Sequence, residues 1–349
     1  MRKVIYTLLV SLLLTGLLLG CAAPAEKTNP AEVYAGKNVR FICFAGAGGG
    51  FDTYSRLMAP YIAKYTGARS VVVENMPGGG GMIAHNYLYS AEPDGLTFML
   101  GNPGGAVPAQ LFEQEGINFD FAKYTTLGVV TYDISVISVG AKTPYVNMSP
   151  ADTIAAMQAA PGLKYGGMGA GEEETSTFIL MSEALGIKPK MVIGYEGSKA
   201  VLVAVMQGEV DVMSSSAASA ARYSKDGDIV PKFAISRTRA RELPDVPTIF
   251  ELASLTKEGE WYIDYAANLS KTGRLMIAPP GMSYEVATFL RDAIEKTLHD
   301  GEFLAECKEA KRAIDYLPAT ESAKLIQELM GMSGSEVGQL KYLLFEKHF

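Results

Sequence analysis

Short apolar runs alternate with amphipathic stretches along most of the chain, and this alternation constrains the fold more than any other sequence feature. Between most of the apolar runs, apolar residues recur at helical spacing. The runs themselves have the length and composition of strands; they lie at residues 39–43, 70–74, 96–100, 127–131, 134–139, 163–165, 191–195, 210–213, 233–236 and 275–278. The pattern predicts an α/β fold with largely parallel sheets.

The first helical stretch has one apolar stripe, which we expect to pack against a sheet. Further helix starts are predicted at Ser149, a polar cap followed by proline, and at Ser283. We expect the chain to end in one long helix that opens at Thr320. The stripe residues are Tyr54, Leu57, Met58, Tyr61, Ile62 and Tyr65.

The N-terminus indicates export. Arg2 and Lys3 precede an apolar run at 4–19, which is shorter than the ~20 residues that a spanning helix needs. Gly20 and Cys21 follow, as in a lipoprotein signal, so we predict a signal peptide at 1–20 and a lipid-anchored linker at 21–37. A plain secretory signal with an incidental cysteine is the alternative. The expected location is extracytoplasmic, on the cell membrane through the lipid.

Composition and cysteine usage exclude several classes of partner. A net charge of -7 argues against a nucleic-acid partner. Cys43 falls in a strand pattern and Cys307 in a helix, so two buried thiols are favoured over a disulfide. The histidines lie far apart without metal-ligand spacing, so we predict neither a metal site nor a cofactor.

Two glycine-rich loops, 44–52 and 75–82, follow the first two predicted strands and precede helices. Backbone N–H groups at such a loop and helix N-terminus can hold an anion without a cationic side chain. The alternative is that the glycines only permit tight turns. Neither the dinucleotide nor the triphosphate glycine spacing is present, and we find no catalytic motif, so no catalytic residue is predicted.

Seven segments together resemble the Bug, or TctC-like, receptors of tripartite tricarboxylate transporters. The segments read FAGAGGGFDTYSR (44–56), VENMPGGGG (73–81), EPDGLT (92–97), GYEGSKA (194–200), GEVD (208–211), LPDVPT (243–248) and APPG (278–281). They follow one another in the order typical of that family. Each segment alone is a weak signal, and their order makes the resemblance specific.

The resemblance implies a type II periplasmic-binding-protein fold with a ligand cleft between two lobes. One lobe would combine 38–139 with 271–349, and the other would be 140–270. It also implies a non-enzymatic receptor that closes on a small organic acid or zwitterion and delivers it to membrane permease subunits. An exported enzyme or a ligand-sensing protein on the same fold is the alternative. The implied ligand-binding residues are Phe44, Gly48, Gly49, Phe51, Asp52, Gly79, Gly80, Gly81, Met82, Ser176, Gly197, Ser198 and Lys199.

One segment departs from the family pattern, because Glu172, Glu173 and Glu174 follow the glycines at 166–171. In the cleft, these carboxylates would repel a polycarboxylate and favour an ammonium group or a metal-bound ligand. On a solvated rim or at a helix start they would have no such effect, and we favour this second reading. Arg56, one turn into the first helix, is expected to face solvent.

Overall fold

The structure is a computed structural model that describes residues 29–348, so the predicted signal peptide and Cys21 lie outside the described residues. Each predicted strand overlaps an observed one. Within the described range no helix has both the length and the apolar character needed to span a membrane. The strands are β1 (Asn38–Cys43), β2 (Ser70–Asn75), β3 (Thr97–Gly101), β4 (Thr125–Val129), β5 (Ser135–Gly140), β6 (Lys164–Gly167), β7 (Lys190–Ile193), β8 (Val212–Ser216), β9 (Ile229–Ala234) and β10 (Leu275–Ala278).

The helices connect these strands and cover most of the last third of the described chain. They are α1 (Pro30–Tyr34), α2 (Gly50–Thr66), α3 (Met82–Ser90), α4 (Pro103–Leu111), α5 (Pro150–Ala159), α6 (Glu173–Leu185), α7 (Ser198–Gln207), α8 (Ala217–Tyr223), α9 (Ile249–Leu252), α10 (Lys257–Lys271), α11 (Tyr284–Leu298), α12 (Gly301–Glu309), α13 (Ala319–Met330) and α14 (Gly334–Phe345).

The strands form two five-stranded sheets, in the orders β2-β1-β3-β10-β4 and β7-β6-β8-β5-β9. This confirms the α/β class. The expectation of largely parallel sheets is wrong, because β10 runs antiparallel to both of its neighbours and so does β5. These are the strands at which the chain returns to the first sheet and enters the second. A crossover helix makes two strands of the same sheet parallel. A strand that enters from the other sheet is not joined in this way to a neighbour in its own sheet, so its direction is free.

The chain passes from the first sheet to the second between β4 and β5, and it returns between β9 and β10. Gly140 therefore lies at the end of the first strand of the second sheet. The lobe boundaries at 139/140 and 270/271 remain predictions, because they concern which parts of the chain move together.

Apolar burial holds each sheet between helices. Phe41 and Ile42 in β1 are fully buried on opposite faces, as in a strand covered on both sides. The stripe of α2 packs on the first sheet through Met58 and Ile62, which are fully buried. Between the sheets, α6 meets α10 so closely that a Cβ at Gly259 would lie 3.3 Å from Ala184.

Helix starts and cysteines follow the sequence analysis more closely than the C-terminal region does. Ser149 and Ser283 are N-caps as predicted, and both Cys43 and Cys307 are buried free thiols. The prediction of a single terminal helix is wrong. Helix α13 ends at Met330, and Ser333 with Glu336 forms a capping box that starts a separate helix, α14.

Candidate functional site

The C-terminal ends of β1, β2 and β3 meet at one edge of the first sheet, because β1 pairs in parallel with the other two. The strand order reverses at this point, since β2 and β3 lie on opposite sides of β1. Ligands of open α/β sheets bind at such an edge. The loops that follow these three strands are therefore the candidate site.

The first loop, 44–49, is held by the buried carboxylate of Asp52. That carboxylate accepts hydrogen bonds from Gly48 N (2.8 Å), Arg56 Nε (3.0 Å) and Asn75 Nδ2 (2.9 Å). The Arg56 hydrogen bond is the main cause that lowers the pKa of Asp52 to about 2. The Asp52 side chain thus ties the loop to the end of β2, and it already occupies the N–H of Gly48.

Arg56 is exposed, as expected, and it also belongs to this cluster. Its side chain is about half exposed, yet Nη2 lies 2.9 Å from both Asp52 Oδ1 and Asn75 Oδ1. Arg56 therefore supports the loop instead of standing free.

The start of α2 keeps free donors beside this cluster. Gly49 is the N-cap and provides no side-chain cap. Within residues 29–348, the N–H groups of Gly50, Phe51 and Asp52 have no hydrogen-bond partner. The first turn of a helix carries such unpaired donors and a partial positive charge. This end of α2 can therefore receive an anion.

The second loop requires glycine throughout. Gly78, Gly79, Gly80 and Gly81 all have positive φ, at 131°, 55°, 65° and 102°. A Cβ at Gly81 would lie 2.9 Å from a ring carbon of Phe44, whereas one at Gly80 would meet nothing within 4 Å. The loop forms one 3-10 turn and leads into α3, which starts without a side-chain cap.

Aromatic contacts bring the two loops together. The rings of Phe44 and Phe51 meet edge to face with centroids 4.5 Å apart, and Phe44 packs beneath Gly81. Nine of the residues implied by the resemblance are thus neighbours at one sheet edge: Phe44, Gly48, Gly49, Phe51, Asp52, Gly79, Gly80, Gly81 and Met82.

A third glycine-rich segment, Asn102 with the first turn of α4 (103–105), was missed by the sequence analysis. It follows β3, and a Cβ at Gly105 would lie 3.6 Å from the carbonyl oxygen of Gly80. The helix it opens, α4, also starts without a side-chain cap. The signal was present, because Gly101, Gly104 and Gly105 repeat the strand–glycine–helix pattern of the first two loops.

Arg274 is the cation that sequence reasoning did not find. Its Cζ lies 5.0 Å from the ring centroid of Phe51 and 4.9 Å from that of Tyr54, and Nη1 lies 3.6 Å from Asp133 Oδ2. Its Nε is buried without a hydrogen-bond partner within the described residues. Arg274 comes to the start of α2 because β10 pairs antiparallel with β3, and nothing local in the sequence indicates that.

The remaining implied residues lie at the edge of the second sheet. Gly197 starts α7 without a side-chain cap, Ser198 Oγ lies 3.2 Å from Tyr223 Oη, and Lys199 is exposed. Ser176 is in the first turn of α6. Within residues 29–348 no hydrogen bond or ion pair joins them to the first two loops, so their shared contact with a ligand stays a prediction.

The glutamates divide between the two expected roles. Glu172 is the N-cap of α6 and accepts from the N–H groups of Glu174 and Thr175, as a helix-start acid should. Glu173 accepts from Ser270 Oγ at 2.6 Å, and Glu174 accepts from Ser135 Oγ. Glu173 and Glu174 also lie in the first turn of α6, as the helix-start interpretation predicts, but they are half-buried and hydrogen-bonded to serines, so the solvated-rim interpretation is wrong for them.

Burial raises the pKa of both inward glutamates, and the carboxylate of Glu173 raises that of Glu174 further. Asp133 adds another negative charge to this cluster. Glu173 also faces the first sheet, because one of its oxygens would lie 3.0 Å from a Cβ at Gly104. The two sheet edges thus meet with N–H donors and Arg274 on one side and carboxylates on the other.

Comparison with known proteins supplies the family. The family model described as "Tripartite tricarboxylate transporter family receptor" (TctC) matches residues 55–340. A UPF0065 protein of Agrobacterium vitis is 28% identical over 246 residues, which is 69% of this chain and 67% of that protein. The chain is also similar to a solved TctC solute-binding protein from Polaromonas, with a TM-score of 0.73 and 17% identity over 87% of this chain and 98% of that one. A third similar protein is MatC from Rhodopseudomonas palustris with bound malate, with a TM-score of 0.58 and 21% identity over 87% of this chain and 98% of MatC.

Proposed function

Because the chain belongs to the family of tripartite tricarboxylate transporter receptors, we propose that it captures a small carboxylate-bearing solute between its two sheets and delivers it to membrane permease subunits. The family consists of solute-binding receptors, so the chain is a receptor and not an enzyme. The observation that carries the ligand class is the set of uncapped helix starts of α2, α3 and α4 at one sheet edge.

A ligand carboxylate fits the start of α2 for electrostatic reasons. The free N–H groups of Gly50, Phe51 and Asp52 supply donors, and Arg274 supplies a full positive charge beside them. An anion at a helix N-terminus gains about 0.3–1 kcal/mol when exposed and up to about 2 kcal/mol when partly buried. The malate bound to the Rhodopseudomonas relative is a ligand of the same class.

The opposite wall favours a ligand that also carries an ammonium group. Glu173, Glu174 and Asp133 outnumber Arg274, and like carboxylates raise one another's pKa unless a cation joins them. A metal-bound ligand is the weaker alternative, because no group of three or more His, Cys, Asp or Glu side chains within residues 29–348 is arranged so that it could hold a metal ion. We therefore propose a zwitterion with at least one carboxylate.

Succinate, malate and aspartate test this proposal directly. They share one diacid skeleton and differ at one carbon by hydrogen, hydroxyl and ammonium. We expect aspartate to bind about 10-fold tighter than succinate, since an ammonium beside partly buried carboxylates gains charge-assisted hydrogen bonds. Isothermal titration of residues 29–348 with each compound measures the difference.

Removing the charges of Glu173 and Glu174 tests whether these side chains cause the preference for aspartate. Glu173→Gln with Glu174→Gln should abolish the preference for aspartate while leaving succinate binding in place, whereas Glu285→Gln, at an exposed acid on α11, should change neither. A parent protein that binds succinate as tightly as aspartate would contradict the ammonium proposal. If none of the three compounds binds, the ligand class is misassigned.

The lipid anchor and the closing motion complete the proposed function. Cys21 would carry the lipid, and the protein would capture solute outside the cytoplasmic membrane. A Cys21→Ser variant that still incorporates labelled fatty acid would contradict the anchor.

We further propose that two lobes close on the ligand, one formed by 38–139 with 271–349 and the other by 140–270. Small-angle scattering that shows equal dimensions with and without saturating ligand would contradict that motion.

A further inference from the structure

Helix α14 contacts helices that belong to both sheets, and we propose that it is a latch that stabilises the arrangement of the two sheets seen here. The inference rests on the proposed closing motion, since a latch has meaning only if the lobes move. It concerns the regulation of the same ligand site. Neither the loops 44–52 and 75–82 nor Glu172, Glu173 and Glu174 take part in it.

One face of α14 is anchored in the core. Leu340, Leu343 and Leu344 are buried there. Gln339 Nε2 lies 2.5 Å from Tyr262 Oη, which ties the middle of the helix to α10. This anchoring makes α14 a fixed support, so the side chains at its C-terminal end act from a defined position.

Two contacts join α14 to α4, the helix after β3 of the first sheet. The ring of Phe345 meets that of Phe112 edge to face, with centroids 5.5 Å apart. Lys341 Nζ donates to the carbonyl oxygen of Phe112 at 3.5 Å. Phe112 is the C-cap of α4, so both contacts hold the C-terminal end of that helix.

Three contacts join the same end of α14 to α6 and the loop before it, which follow β6 of the second sheet. The ring of Phe345 covers Gly171 so closely that a Cβ there would lie 2.8 Å from it. On α6, Glu183 Oε2 lies 2.6 Å from Lys347 Nζ, and Glu183 Oε1 lies 2.8 Å from His348 Nε2. Phe345 therefore touches elements of both sheets at once.

Separation of the two sheets would break one set of these contacts. A cavity of about 490 Å³ lies beside Phe345, between α4, the 170–171 backbone and α14. The phenyl ring is about 40% exposed, so its two neighbours do not enclose it as the core encloses the buried leucines. The contacts are breakable, which a latch requires and a core contact does not allow.

Phe345→Ala and Glu183→Gln test the latch in the ligand-free protein. Each should increase the radius of gyration measured by small-angle scattering, and each should weaken binding of the tightest diacid about 3–10-fold, because the binding-competent arrangement becomes less populated. Tyr342→Ala is the matched control, since this side chain lies on the same helix, is exposed and makes none of these contacts. It should change neither quantity.

Unchanged scattering in both variants would overturn the latch, and so would a lower melting temperature without a larger radius, which indicates a purely structural contact. The scattering arm needs no ligand. If the parent binds none of the diacids, the ligand proposal fails while the latch is still decided by scattering.

Discussion

The helices at the two sheet edges of the candidate site differ in how their N-termini are capped. On the first sheet, α2 and α3 begin at glycines that provide no side-chain cap. On the second, α6 begins at Glu172, whose carboxylate takes two of the first N–H groups. Uncapped donors remain available to a ligand anion, while capped donors do not. The comparison separates α2 and α3, whose first N–H groups stay available to an anion, from α6, whose first N–H groups do not; α7 on the second sheet also starts uncapped, at Gly197.

The carboxylates at the two edges also differ, in how far protein groups satisfy their negative charge. Asp52 accepts three hydrogen bonds and its pKa is lowered to about 2. Glu174 has a serine hydroxyl and further carboxylates around it, and burial raises its pKa well above the usual value. The negative charge of Asp52 is satisfied within the protein. That of the glutamates is not, which is the condition for attracting a cation.

Gly80→Val should have the largest effect on this comparison. The φ of +65° is costly for a β-branched residue, and the side chain would project into open space where a ligand approaches. We expect diacid affinity to fall at least about 100-fold, which corresponds to about 2.7 kcal/mol. Isothermal titration and a melting curve would separate lost binding from lost folding.

Two further variants control this experiment. Gly67→Val imposes the same kind of strain, with φ of +75° and open space, at the far end of α2, and it should leave affinity unchanged. Arg56→Gln should weaken binding far less than Gly80→Val, since Arg56 acts through Asp52. Should Arg56→Gln abolish binding and Gly80→Val preserve it, the glycine loop is only a turn.

Asp52→Asn should have the next largest effect, on stability. It removes the ion pair with Arg56 and should lower the free energy of unfolding by about 1–3 kcal/mol at pH 7. A lowered pKa stabilises the fold fully above the unfolded value of about 4, and this contribution is lost as pH falls towards the folded pKa of about 2. Urea unfolding of parent and variant should therefore converge near pH 2. A constant difference between them would contradict the ion pair.

Glu174→Gln should have the smallest effect and the opposite sign. Burial raises the folded pKa, so the parent loses stability as pH rises from the unfolded value of about 4 through the folded one. The variant avoids this loss and should be more stable than the parent at pH 7. The advantage should vanish near pH 4. A less stable variant at pH 7 would show that the carboxylate is satisfied.

Regular elements and the first two loops were predictable because their signals are local. The strand runs are mostly apolar over their own length, and Ser149 lies directly before the helix it caps. The glycine-rich start of α4 at 102–105 carried the same glycine signal and could have been recognised. The parallel direction of β5 and β10 was mispredicted, because direction depends on which sheet a strand enters.

The sequence by itself determined the α/β class, the family and the glycine loops, since strand periodicity, turn chemistry and ordered motifs depend on neighbouring residues. Only the tertiary structure brought Arg274 to the start of α2 and Glu173 to Ser270. It also decided that Asp52 has a lowered pKa and Glu174 a raised one. The physical reason is that burial and charge pairing act through space, between residues that the chain separates by many positions.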